Sequence, residues 1–373
     1  MIESRTEIGS TFALSKDAFD QLLKNLHALG FETIGPRQEQ GNLVYDRIDS
    51  LADLPHGYIT EQAPGRYRLI KTDRDRYFDI IPGAHSWKQF LFPSRSELFR
   101  LKKDGEEWNM QLPETAQTKY AFIGVRGCEQ AAIQIQDNIF IRSDFIDPVY
   151  HDRRKNLFIL TVNCMFPSET CFCNSLKTGP SASKGFDLSL TELDDVFLLE
   201  IGSELGRSSL KGLPVSSASA FLLQAAEKGL ERAAQQTRHL DTSDLPGLLL
   251  ENLNHPHWHE IAKRCLSCGN CTQVCPTCFC WDVVDTNDLS GDATHREKVW
   301  DSCFNPGFSY QAGGNTRPTI HSRYRQWLSH KLGSWVEQNG TLGCVGCGRC
   351  ITWCPPGIDL TAEIPAFRKG STK

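Results

Sequence analysis

The stretch CLSCGNCTQVCP, residues 265–276, spaces four cysteines closely and ends in a proline. A second stretch, CVGCGRCITWCP at residues 344–355, matches it at every cysteine, at the glycine after the second cysteine and at the proline. Both have the spacing C-x2-C-x2-C-x3-C-P, which holds [4Fe-4S] clusters in bacterial ferredoxins. The repeat therefore predicts two [4Fe-4S] sites.

In a two-cluster fold, the first three thiolates of each run bind one cluster and the fourth binds the other. One predicted ligand set is Cys265, Cys268, Cys271 and Cys354. The second is Cys344, Cys347, Cys350 and Cys275. Small residues at Gly269, Gly343, Gly346 and Gly348 are expected to let backbone N–H groups approach the sulfides and raise the potential.

Zinc is the alternative occupant, because C-x2-C pairs also bind structural zinc. The chain would then be a zinc-structured scaffold without redox chemistry. Zinc needs only four thiolates per ion and no trailing Cys-Pro, so the full run, present twice, favours clusters.

A third group of cysteines lies upstream. Cys128 follows the apolar run YAFIGV (120–125), Cys164 follows LFILTV (157–162), and Cys171 and Cys173 come shortly after. Ligands of α/β sheets collect at the carboxyl ends of strands, so these four thiolates predict a third [4Fe-4S] cluster. The alternative is that they are buried free cysteines that only pack, and the short spacing of Cys171 and Cys173 leaves this open.

The apolar patterns predict an α+β fold. Helical spacing marks 19–30 and a second helix near 129–137, while 120–125, 157–162 and 196–201 are typical of central strands. Segment 41–118 is β-rich and irregular, and the C-terminal half is expected to be helical wherever it does not surround cysteines. We predict an N-terminal α/β domain (1–213), a helical connector (214–255) and a mostly helical ferredoxin-like domain (256–373) with a long insertion between its cluster motifs.

Composition excludes several functions. A net charge of -5 without a basic field argues against nucleic acid as a partner. No apolar run is long enough for a membrane span and no secretory signal is visible, so we expect a cytoplasmic protein whose fifteen cysteines stay reduced. No dinucleotide or triphosphate motif and no nucleophile with a base partner is found, which indicates a chain that carries electrons but has no place for substrate chemistry.

Other polar residues near the motifs have less specific interpretations. Cys278, Cys280 and Cys303 are expected to pack; the alternatives are that they line a cluster pocket or that two of them replace assigned ligands. The histidines of NHPHWHE (255, 257 and 259) are expected to be surface groups or to support a site from outside. Basic residues in the insertion could balance cluster charge, dock an acidic partner or form a solvated helix face. These are Arg317, Arg323, Arg325 and Lys331.

The ordered set of motifs resembles a known family. GVRGCEQAA, HDRRKNLFILTVNC, CFCNS, GFDLSLTEL, CLSCGNCTQVCPTCFC, WDSCF, NTRP and CVGCGRCITWCPPGIDL together are similar to the iron–sulfur β subunit of cytoplasmic sulfhydrogenases, which is itself similar to the electron-transfer subunit of anaerobic sulfite reductase. Gly127 and Glu129 depart from the proline and aspartate expected there.

The resemblance implies an electron conduit. Its partners would be a flavin subunit that handles NAD(P)H and the small and large subunits of a nickel–iron hydrogenase. The alternative from the same resemblance is the electron-transfer subunit of a sirohaem sulfite reductase.

Overall fold

The structure is a computed structural model that describes residues 7–113, 118–142 and 144–369. The strands are β1 Thr11–Ser15, β2 Phe31–Glu39, β3 Asn42–Arg47, β4 Tyr58–Ala63, β5 Arg66–Lys71, β6 Arg95–Asp104, β7 Glu107–Gln111, β8 Lys119–Arg126, β9 Leu157–Val162, β10 Leu188–Glu192, β11 Val196–Ile201, β12 Ser216–Ser217, β13 Trp281–Asn287, β14 Ala293–Trp300, β15 Tyr310–Gln311 and β16 Gly314–Asn315. The helices are α1 Phe19–Ala28, α2 Lys88–Leu91, α3 Gly127–Phe140, α4 Pro148–Lys155, α5 Glu204–Ser209, α6 Ala220–Ala234, α7 Leu245–Glu251, α8 His257–Arg264, α9 Asn270–Gln273, α10 Ile320–Ser329, α11 Trp335–Asn339, α12 Arg349–Thr352 and α13 Leu360–Arg368.

The largest sheet has the order β12-β1-β11-β10-β9-β8-β2-β3. Its neighbours β10, β9, β8 and β2 run parallel. β9 is buried at all six positions, as expected for a parallel strand covered on both faces. The three predicted central strands are confirmed as β8, β9 and β11.

Each face of this sheet carries a hydrophobic core. One face packs α1 through Phe19, Leu22 and Leu26, and the opposite face packs α3, α4 and Trp87. The predicted helices near 19–30 and 129–137 are confirmed as α1 and α3. The N-terminal part is therefore a layered α/β unit, in agreement with the predicted fold class.

A four-stranded sheet joins the two halves of the chain. Its order is β13-β14-β6-β7, so the hairpin of β13 and β14 from the insertion pairs with β6 of the N-terminal half. The sequence analysis placed no strands in this insertion. β13 is exposed at six of seven positions, so it carries no alternating apolar signal, and its pairing within this sheet decides the conformation. The division into three domains stays a prediction.

Helices surround the cysteine motifs in the C-terminal half. α7, α8, α10 and α13 bury a common core that includes Trp258, Trp327 and Phe367. Pro246 lies in the first turn of α7 and Pro256 is the N-cap of α8, where proline costs no helical hydrogen bond. Among the described residues, no helix has the length and apolarity needed to cross a bilayer.

Candidate metal centre

Both cysteine motifs form the same local structure. Each is a loop that turns through a left-handed glycine, Gly269 (φ 77°) or Gly348 (φ 75°), into a one-turn helix, α9 or α12. Glycine adopts this conformation without the steric cost of a Cβ. The glycine after the second cysteine of each motif thus lets the chain turn directly from the loop into the short helix that carries the third cysteine.

The first predicted ligand set lies around one cavity. Its cysteine lining comprises Cys265, Cys268, Cys271 and Cys354, together with Cys350. Aromatic and aliphatic side chains form the rest of the wall, including Phe304, Tyr324 and Ile358. The structure therefore brings together the four cysteines that the motif spacing assigns to one site.

The second predicted set also converges. The thiols of Cys344, Cys347 and Cys275 all lie near enough to Cys350 to raise its pKa, in addition to the larger effect of burial. Burial raises the pKa of Cys344 to about 12. Burial also raises the pKa of Cys347 and Cys350, so metal binding must displace the protons of these three thiols. Cys275 differs, because a hydrogen bond with Cys278 holds its pKa well below the usual value.

Lys331 contacts the second set directly. Its Nζ lies 3.4 Å from Cys275 Sγ, 2.9 Å from Thr277 Oγ1 and 2.8 Å from the Gly343 carbonyl oxygen. Burial opposes its charge, but electrostatic attraction to the Cys275 and Cys278 side chains holds the pKa of Lys331 well above its usual value. A π-helical turn, His330–Ser334, delivers this side chain, a conformation often found at functional sites.

The structure selects among the three interpretations of the basic residues in the insertion. Arg323 and Lys331 are buried, so a solvated face or a docking role is wrong for these two. Arg323 donates to the Arg317 and Pro318 carbonyl oxygens, which fixes the loop before α10. Charge balance is the interpretation that the contacts of Lys331 support.

The upstream cysteines, which are the third predicted group, also surround a cavity. Its lining includes all four predicted thiols, Cys128, Cys164, Cys171 and Cys173, and also Cys347 of the second motif. Cys128 is in the first turn of α3, directly after β8, and Cys164 lies two residues beyond β9. The carboxyl ends of two parallel strands thus meet the loop that carries Cys171 and Cys173, as the sheet argument predicts.

Two buried arginines flank the cavity of the third group, and the sequence analysis missed both. Arg126 donates to the Phe78 and Ile80 carbonyl oxygens at 2.5 and 2.7 Å. Arg349 donates to the Gly83 carbonyl oxygen at 3.0 Å. Both line the cavity and offset thiolate charge there. The only feature of the sequence that pointed to a role for these arginines is that each lies within two residues of a predicted ligand cysteine.

Glu129 is the buried partner of Arg349. Its carboxylate accepts from Arg349 Nη2 at 2.5 Å, from Tyr45 Oη at 3.1 Å and from Trp87 Nε1 at 3.1 Å. Charge-assisted bonds of this kind satisfy a carboxylate that burial would otherwise destabilise. The longer side chain of glutamate at this position therefore has a defined role in connecting α3 to the second motif.

Backbone N–H groups reach several of the cysteine sulfurs. Gly346 N lies 3.4 Å from Cys344 Sγ, and Ile358 N lies 3.3 Å from Cys354 Sγ. The Gly346 N–H therefore approaches a sulfur of the second set of cysteines, as expected from the small residue there. Gly348 and Gly343 are also required for packing, since a Cβ there would lie 2.4 Å from the Thr170 carbonyl oxygen and from the Trp335 ring, respectively.

The remaining cysteines pair with one another or with a motif cysteine. Cys278 hydrogen-bonds Cys275. The Cys303 thiol hydrogen-bonds Cys280 and lowers the pKa of Cys280 to about 7. Within the described residues, no three His, Cys, Asp or Glu side chains lie close enough to share a single metal ion.

The histidines of NHPHWHE line neither of the two cavities described for the first and third cysteine groups. His257 Nε2 lies 2.9 Å from a Glu363 carboxylate oxygen, and His255 packs edge-on against Phe367. His259 lies beside the ring of His321. These contacts secure α8 to its neighbouring helices.

A duplicated motif whose thiols line cavities beside an α/β sheet defines an iron–sulfur protein of the two-cluster class. Residues 264–358 match the family described as 4Fe-4S dicluster domain. The chain is 34% identical over 361 residues to sulfhydrogenase 2 subunit beta of Pyrococcus furiosus, covering 96% of this chain and 98% of that protein. The chain belongs to the sulfhydrogenase beta-subunit family. No solved structure matches it.

The comparison confirms the iron–sulfur interpretation of the motifs and the resemblance drawn from the sequence. The donor chemistry agrees, because the cavities present thiols and apolar walls. The alternative of a zinc-structured scaffold gains no support from either.

Proposed function

We propose that this chain is the electron-transfer subunit of a cytoplasmic hydrogenase complex. It would connect a flavin subunit that handles NAD(P)H with the small and large subunits of a nickel–iron hydrogenase. Support comes from its 34% identity to a protein named sulfhydrogenase 2 subunit beta. That name favours a hydrogenase over a sirohaem sulfite reductase.

The proposed ligands are the twelve cysteines in three groups. One group is Cys265, Cys268, Cys271 and Cys354; the second is Cys344, Cys347, Cys350 and Cys275; the third is Cys128, Cys164, Cys171 and Cys173. When bound, [4Fe-4S] clusters take up and release single electrons. The protein contributes burial, N–H donors and the cations of Lys331, Arg126 and Arg349.

The main support for an electron relay is that the three cysteine groups adjoin one another. Cys347 and Cys350 both belong to the second motif. Cys347 also lines the cavity of the third group, and Cys350 also lines the cavity of the first group. The three sets of cysteines therefore lie next to one another, with the second motif in the middle. A series of adjacent redox sites is what a protein between two redox partners requires.

The third cluster can be counted. An anaerobically isolated chain with all three groups loaded should contain about twelve iron atoms, at about four per cluster. A value near eight would remove the upstream cluster from the proposal. A Cys164→Ala/Cys171→Ala variant is the matched comparison, since it should lose about four iron atoms.

Cys347→Ser tests the relay itself. Because Cys347 is in the middle group, the variant complex should lose electron delivery between NAD(P)H and hydrogen while hydrogen oxidation with an artificial dye stays measurable. Cys303→Ser is the matched control, because it removes a thiol that is hydrogen-bonded to Cys280 and is not a proposed ligand. An equal loss of both activities in Cys347→Ser would argue against a relay.

The partners are tested by the complex purified through this chain. Nickel together with a flavin and a large hydrogenase chain is the expected result. A sirohaem absorption band would transfer the same relay to sulfite reduction.

A further inference from the structure

An open groove runs along α3. It has a volume of about 890 Å³, and its walls are α3, the loop of residues 174–185 and the segment 341–344. The relay proposed above does not use this groove.

The groove is basic. Arg142, Arg154, Lys177 and Lys184 line it, against a single carboxylate, Asp137. Arg154 Nε pairs with Asp137 at 3.1 Å, which neutralises one cation. Arg142, Lys177 and Lys184 are exposed and have no carboxylate partner in the part of the chain that the structure describes. The chain as a whole carries -5, so this concentration of positive charge is local.

The floor of the groove reaches two of the proposed cluster sites. Cys344, a proposed ligand of the second group, is part of the lining. Gly179 also lines the groove, and a Cβ there would lie 2.8 Å from Cys173 Sγ of the third group. A molecule seated in the groove would therefore contact Cys344 of the second group and would be separated from Cys173 of the third group by the backbone at Gly179.

Two exposed apolar side chains lie three and four residues after Arg142 in the chain. Phe145 and Ile146 are 87% and 56% exposed and lie between α3 and α4, where Asp147 N donates to the Phe140 carbonyl oxygen. Exposed aromatic and aliphatic residues beside charged ones are typical of protein interfaces. A small anion would use the cations but not these two side chains.

We propose that this groove docks the acidic face of a redox protein that exchanges electrons with the second and third thiol groups. The proposal rests on the proposed function, since it places a partner of that relay. Opposite charge would steer the encounter and orient the partner's redox group toward Cys344. Both effects weaken as salt screens the charges.

Flavodoxin, a small acidic flavoprotein, serves as the probe, and its dissociation constant for the cluster-loaded chain is measured by biolayer interferometry at low and high salt. Arg142→Glu/Lys184→Glu should weaken binding at low salt about tenfold or more and flatten the salt dependence. Lys24→Glu/Lys228→Glu is the matched control, because it reverses two exposed lysines on α1 and α6 outside the groove.

Two outcomes would overturn the docking proposal. One is the absence of measurable flavodoxin binding, or equal dissociation constants in the two double variants. The other is displacement of flavodoxin by micromolar ADP, which would assign the groove to a small phosphorylated ligand instead. Iron content and visible absorbance are measured on every variant, so that loss of the clusters, which would contradict the proposed function, is distinguished from loss of docking.

Discussion

Lys331 is a residue whose role follows from its immediate contacts. It is 2% exposed, and its ammonium group donates to one sulfur and two oxygens around Cys275. A fixed positive charge stabilises the more negative, reduced state of a nearby redox centre, so it raises the reduction potential. Sequence alone could not place this lysine, because it comes from the insertion, ten or more residues from either motif.

Lys331→Met tests this role. Without the charge, the cluster proposed at Cys275, Cys344, Cys347 and Cys350 should become harder to reduce, and its midpoint potential should fall relative to the other clusters. The measurement is a redox titration followed by electron paramagnetic resonance. Lys331→Arg keeps the charge and should retain most of the potential; an unchanged potential in Lys331→Met would contradict the electrostatic role.

At the scale of elements, the two cysteine motifs fold alike but pack differently. The second motif lies against the loop of residues 170–173, and a Cβ on Gly348 would lie 2.4 Å from the Thr170 carbonyl oxygen. At the equivalent Gly269 of the first motif, the nearest atom to such a Cβ is Ser302 Oγ at 3.2 Å. Glycine is thus favoured at Gly269 mainly by its left-handed backbone conformation. At Gly348 it is favoured both by that conformation and by the close approach of the Thr170 backbone.

Gly348→Ala and Gly269→Ala form a matched pair. Both place alanine at a left-handed φ and should lose about 1–2 kcal/mol for that reason. Gly348→Ala should lose about 1–3 kcal/mol more, because the backbone of Thr170 has to move. Thermal unfolding of the two cluster-loaded variants measures the difference, and equal losses would show that the loop yields without cost.

At the scale of the whole molecule, buried charges and strand pairing hold the two halves together. β14 of the insertion pairs with β6, and Lys298 bonds Asp147 at 2.5 Å beside that sheet. Arg349 and Glu129, at 3% and 2% exposure, join the second motif to α3. The proposed second and third groups therefore depend on an interface between distant parts of the chain.

Glu129→Gln should destabilise the whole protein. It leaves the Arg349 guanidinium buried without a counter-charge, and breaking a buried ion pair in this way costs about 3–5 kcal/mol. Glu204→Gln is the control, because Glu204 pairs with Arg207 at the exposed surface, where such a pair contributes up to about 1 kcal/mol. Chemical unfolding measures both; adding Arg349→Met to Glu129→Gln should recover part of the loss if the unpaired charge is its cause.

Much of the local structure was predictable because its determinants lie close together in the chain. The apolar runs of β8, β9 and β11 and the helical spacing of α1 each express a periodicity that survives any tertiary arrangement. The hairpin of β13 and β14 was not predictable, because its exposed residues carry no such period and its partner β6 is distant in sequence. Arg126 and Arg349 were missed for a related reason: an arginine beside a cysteine shows its role only when its carbonyl and carboxylate partners are in place.

The sequence by itself determined the chemistry of this protein, since thiolate spacing fixes which loops can bind a cluster, and that spacing is a property of neighbouring residues. Only the tertiary structure decided which thiols from separate segments share a cavity, which cations balance them and where a basic groove opens beside Cys344. Those features depend on contacts between residues far apart in the chain, and burial and electrostatic interaction have no meaning until the chain has folded.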